Sequence, residues 1–118
     1  MEKLTSLGEA QRLFPTLVTR LLLHIYEQGY EVTLGDAYRD PRAFGSQGQA
    51  GPYGERKSAH KQRLAIDLNL FKDGVYLPRT DAHAPFGAYW LTLHPECVWG
   101  GGCGDGNHYS LRFHGLAW

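Results

Sequence analysis

The run Leu64-Ala65-Ile66-Asp67-Leu68-Asn69-Leu70-Phe71 limits what this chain can fold into more than any other stretch. Leu64, Ile66, Leu68 and Leu70 fall in one register, and Ala65, Asp67, Asn69 and Phe71 in the other. A period of two is that of a strand with one face on a core. The chain must therefore build a sheet with a covered aliphatic face, and Asp67 lies on the other face. His60 precedes the strand, where a loop can fold back over that second face. A His and an Asp that converge there can hold a metal if a third ligand joins them. His108, in Asp105-Gly106-Asn107-His108-Tyr109, is the best candidate.

A chain of 118 residues fits one domain spanning 1–118 and can bury a core without metal or disulfide staples. A metal here would serve chemistry rather than folding. Formal net charge is zero, which gives no bulk electrostatic case for nucleic acid. Arg39, Arg42, Arg56, Lys57, Lys61 and Arg63 nevertheless crowd one region, either as a solvated loop or as an attraction for an anionic substrate. Cys97 and Cys103 are spaced too widely for a zinc knuckle and are read as free thiols, with a local disulfide open if the chain is exported. The N-terminus carries no charged-then-apolar signal pattern, and the apolar cluster at Leu21-Leu22-Leu23 is too short to span a bilayer. The expectation is a monomer made in the cytoplasm, without membrane insertion, which needs release by something else to act outside.

Ser6-Leu7-Gly8-Glu9 reads as a capping box, with Ser6 as cap and Glu9 reaching back. Leu13, Phe14, Leu17, Val18, Leu21, Leu22 and Ile25 follow at helical spacing; Pro15 should kink or restart the helix and Gly29 should end it. His24 within it is read as structural. Tyr30–Tyr38 reads as a strand with Val32 and Leu34 on one face, and residues 42–57 as a long exposed loop rimming a site. Lys72-Asp73-Gly74 signals a hairpin that returns through Val75-Tyr76-Leu77. Pro78–Pro85 reads as loop, Phe86–Leu93 as a short helix with Tyr89, Trp90 and Leu93 facing in, Trp99–Gly106 as a glycine-rich loop that is no P-loop, and His108–Phe113 as a last strand. The predicted fold is α+β, a small antiparallel sheet with flanking helices.

Catalytic zinc takes three protein ligands and leaves a position open for water. His60, Asp67 and His108 offer two imidazoles and a carboxylate. Asp105, three residues before His108, is placed to act as base. Arg39, at the end of its strand, can polarise the attacked carbonyl. Glu96 is the other candidate base. His83, His94 and His114 are rival ligands, and a structural site of His94, Cys97, Cys103 and His108 would leave Asp67 unexplained. Trp90, Trp99 and Trp118 are read as core.

Ser58-x-His60-x6-Asp67 followed by Asp105-x-x-His108 resembles the zinc peptidases that cut peptidoglycan stem peptides, the D-alanyl-D-alanine carboxypeptidases and phage L-alanyl-D-glutamate endopeptidases. Arg63–Phe71, Trp99-Gly100-Gly101 and Asp105–Ser110 look closest to the phage endolysin branch. The resemblance runs from the first helix to the last strand. It implies a sheet core shared with hedgehog-type domains, Zn2+ on His60, Asp67 and His108, Asp105 as general base, Arg39 as oxyanion stabiliser (with Arg42 nearby as its rival) and Ser58 as a substrate contact. It further implies a hydrolase that degrades bacterial cell wall during lysis, with antimicrobial action. Two positions depart from the family. Arg63 stands where a glycine is common, and Cys103 where an aromatic or polar residue is usual. A D,D-carboxypeptidase and a non-catalytic wall-binding module are the alternatives. The long glycine-rich loop favours the open groove of an endopeptidase, and the full set of His60, Asp67, Asp105 and His108 argues against the binding module.

Overall fold

The computed structural model describes residues 4–40 and 58–118. The proposed loop 42–57, with Arg42, Arg56 and Lys57, lies outside the described residues.

Helix α1 (Leu7–Glu27) starts where Ser6 Oγ accepts from Glu9 N at 3.1 Å. Glu9 reaches back one residue further than a capping box requires, accepting from Thr5 N at 3.0 Å. It buries Ala10, Phe14, Leu17, Val18, Leu21 and Ile25, one stripe of a 3.6-residue period. Pro15 neither ends nor restarts it: the helix runs through, with the ring on the exposed side. Gly29, at φ +86°, closes the helix. Its N–H donates to Tyr26 O and that of Tyr30 donates to Ile25 O, the two bonds of a Schellman cap.

Strand β1 (Glu31–Leu34) pairs antiparallel with β2 (Ala65–Lys72) from Glu31 opposite Phe71 to Leu34 opposite Leu68. The strand is shorter than Tyr30–Tyr38. Gly35 N still donates to Asp67 O and Asp67 N to Asp36 O, after which the chain leaves the sheet. Leu34 is 65% exposed on this edge strand and does not join Val32 in packing against the core. The turn at Asp73-Gly74, both with positive φ, leads into β3 (Val75–Leu77), the two-residue hairpin expected.

Helix α2 spans Thr80–Leu93 and so begins six residues before the predicted Phe86. Pro85 lies inside it, at an exposed position, and the helix runs through. Strand β4 (Cys97–Trp99), which the sequence reading left out, pairs with β5 (His108–Leu111). β5 stops two residues short of Phe113, because His114 (φ 51°) and Gly115 (φ 77°) turn the chain back, and Phe113 bridges to Leu116.

The sheet order is β1-β2-β5-β4, with β3 also on β2, and every pairing is antiparallel. This is the α+β fold expected. Leu64, Ile66, Leu68 and Leu70 are buried in one core cluster with the inner faces of α1 and α2. Phe14 meets Trp90 edge-on at 5.9 Å, and His24 stacks on Tyr89 at 3.9 Å, a structural role as read. Asp67 is thereby left on the opposite face.

Candidate metal centre

Three elements carry the three predicted ligands. Asp67 is the third residue of β2 and His108 the first of β5, directly opposite one another in the ladder. His60 opens a short 3-10 turn, His60–Gln62. That turn ends at Arg63, whose φ of 62° lies in the region glycine enters freely. A non-glycine residue there costs roughly 1–2 kcal/mol, partly offset by the Arg63 guanidinium lying 4.1 Å over the Tyr38 ring.

Asp67 Oδ1 lies 3.4 Å from His60 Nε2 and 3.5 Å from His108 Nδ1, and the three donor atoms all fall within 4.8 Å of one another. A tetrahedral zinc with ligands at about 2.0–2.1 Å separates its donors by roughly 3.3–3.4 Å. The protons agree. His60 Nδ1 donates to Ala37 O at 2.9 Å, and His108 Nε2 donates to Ala117 O at 2.8 Å. A carbonyl only accepts, so in neutral rings both inward nitrogens present lone pairs. Asp67 Oδ1 is buried and has no hydrogen-bond partner. Three acceptors facing one another without a proton suit a cation, and the outer carbonyls fix ring orientation as ligand histidines require. Burial works to raise the Asp67 pKa, but in acid, where the inward nitrogens of His108 and His60 carry protons, their hydrogen bonds and charge outweigh it and hold the carboxyl below the ordinary carboxylate range. Among the described residues this is the one such cluster of three or more metal-ligating side chains.

The triad forms one wall of a cleft of about 560 Å³, also lined by Arg39, Cys103, Asp105 and Trp118. Asp105 sits on the glycine-rich loop. Its N–H donates to Gly100 O, its carbonyl accepts from His108 N, and its exposed carboxylate makes no hydrogen bond or ion pair to a described residue. A Cβ on Gly100 would lie 2.2 Å from Asp105 O and 3.0 Å from His108 Cβ, so only glycine permits this approach. Arg39 N donates to His60 O, and its guanidinium pairs with Asp36 at 3.3 Å while facing the cleft.

Ser58 lies within the ligand turn rather than on the cleft wall. It is fully buried, and its Oγ accepts from His60 N at 3.1 Å, which shapes the turn that carries His60. The rival ligands are engaged elsewhere. His83 is buried against the Tyr109 hydroxyl at 2.7 Å, His94 Nδ1 accepts from Glu96 N, and His114 stacks on Phe113. Cys97 is buried in β4, where desolvation pushes its thiol pKa up to about 12, while Cys103 is exposed at the cleft; both thiols are free. The His94, Cys97, Cys103 and His108 site is therefore not assembled. Glu96 does not line the cleft.

Sequence reasoning missed the carbonyls of Ala37 and Ala117, which any residue could supply, and Trp118, read as core but 40% exposed beside the triad. Compared with known proteins, the chain matches no protein-family model and no curated protein by sequence.

Proposed function

We propose that this protein is a zinc-dependent amidohydrolase of peptidoglycan stem peptides, an endolysin-type L-alanyl-D-glutamate endopeptidase. The observation that carries the reading is the His60–Asp67–His108 triad, with its proton-free donors turned inward and both imidazole nitrogens 3.4–3.5 Å from Asp67 Oδ1. Zinc held there would acidify a water and polarise the scissile carbonyl. The Asp105 carboxylate, without a partner among the described residues, takes the proton from the attacking water and returns it to the leaving amine nitrogen. Arg39 offers N–H donors to the carbonyl oxygen as charge develops on it.

Digestion of purified peptidoglycan with and without a chelator, followed by mass analysis of the fragments, tests this. Chelator-sensitive release of new D-glutamyl amino termini is expected. Loss of terminal D-alanine alone would assign a D,D-carboxypeptidase instead, and zinc binding without cleavage of any stem peptide would reduce the protein to a binding module.

A further inference from the structure

After β5, the left-handed turn at His114-Gly115 sends the chain back across the sheet, and Ala117 and Trp118 come to rest on the metal cluster. Their contacts are with both histidine-bearing elements. The Ala117 carbonyl takes the outer proton of His108 at 2.8 Å. The Trp118 carbonyl accepts from the backbone N–H of Ala59, the residue before His60. The Trp118 ring lies against the His108 imidazole, centroids 5.1 Å apart and tilted by 39°, and its other surface borders the cleft. Ala117 is 4% exposed, so the bond to His108 is shielded from water.

The geometry points to Ala117 and Trp118 as a clasp that positions the metal ligands, so that seating of this segment and metal occupancy are one coupled equilibrium. Without the Ala117 acceptor the His108 proton is free to move to Nδ1, the atom that faces Asp67. Without the bond to Ala59 the turn that presents His60 loses a tie to the rest of the site. A metal that demands both histidines in place therefore favours the seated segment, and by linkage the seated segment favours the metal to the same degree. The inference rests on the metal-centre reading but not on any substrate, and metal binding is its readout.

Zinc affinity is measured by competition with a chelating dye for three proteins: wild type, a chain lacking Ala117 and Trp118, and Trp118→Phe. The deletion should weaken zinc about 10–100-fold, the usual effect of losing a partner of a ligand histidine. Trp118→Phe keeps both backbone bonds and a ring beside His108, and should weaken zinc less than the deletion does. Cobalt(II) in place of zinc should give a changed visible spectrum in the deletion, since its bands report ligand geometry. Hydrogen exchange at the Ala59 amide of the wild type, which needs no variant, should slow when zinc is added. Wild-type affinity and an unchanged cobalt spectrum in the deletion overturn the clasp, as does Ala59 exchange indifferent to zinc where the deletion fails to fold. A wild type that binds no zinc removes the metal centre itself.

Discussion

Asp67 is half-buried, but its Oδ1 is buried and unpartnered between the lone pairs of His60 and His108, and that arrangement is sustained only by a cation or by protons. His60→Ala or His108→Ala should accordingly lose bound zinc and all activity. The core holds Trp90, Tyr109 and Phe86 at 1% exposure or less, far from dependent on a metal staple, so both apo variants should still unfold cooperatively. Metal analysis alongside thermal melts checks both halves; full zinc occupancy in His108→Ala would remove it from the ligand set. Asp105, the proposed base, lies on the same segment as His108. Asp105→Asn keeps the shape and removes basicity, so cleavage should fall about 10²–10⁴-fold while zinc content holds. Glu96→Gln, away from the cleft, should cleave normally. Near-normal cleavage by Asp105→Asn, or loss of its zinc, would contradict the assignment of a base.

At the scale of elements, Trp99 ties the glycine-rich loop to the rest of the fold. Its Nε1 donates to Gly106 O at 2.7 Å, and its ring is flanked by Gly87 of α2 and Gly101 of the loop. A Cβ on Gly87 would sit 2.2 Å from the indole, so Gly87→Ala must push Trp99 aside. Overpacking of this kind costs about 1–3 kcal/mol, several degrees of melting temperature in a domain this small. Because the displaced loop carries Asp105, Gly87→Ala should also lower cleavage more than it lowers zinc affinity. Melting curves, zinc titration and cleavage on one preparation test this; an unchanged melting temperature would show that the indole yields without cost. α2 can present a glycine at this position because its register starts at Thr80, and Thr80 Oγ1 in turn accepts from Gly106 N at 3.2 Å.

For the whole molecule, acid should destabilise the fold. Burial lowers the His83 pKa below its ordinary 6.5, so just below 6.5 the unfolded chain binds the proton and the folded one does not. The stability His83 contributes is present above 6.5 and is lost as pH falls. Asp67, depressed below its ordinary 3.8, adds a second loss at lower pH in the metal-free protein. Chelator-treated protein should thus melt lower at pH 5 than at pH 7, and His83→Gln should flatten that difference. Equal slopes in the two proteins would show that His83 is not responsible. Zinc affinity should fall over the acid range as well, since protons compete for both ligand histidines.

The sequence by itself determined the strand at Leu64–Phe71, the Asp73-Gly74 hairpin, the face and the Gly29 end of the first helix, and the three residues that meet as a possible metal-binding group. Each of these is local: a period of two or 3.6, a turn that needs positive φ, and residue types that bind metal. Tertiary structure decided what depends on distant neighbours. Pro85 reads locally as a breaker, yet α2 runs through it because packing against α1 and β4 outweighs one missing hydrogen bond. β4 carries too few residues to show a period and exists because β5 offers it an edge. Ser58 is a substrate contact only by resemblance; the fold buries it and turns its Oγ to the His60 N–H. Nor could the chain announce which carbonyls would hold the histidine protons. Backbone oxygens are the same in every residue, and only the fold brings Ala37 and Ala117 to the imidazoles.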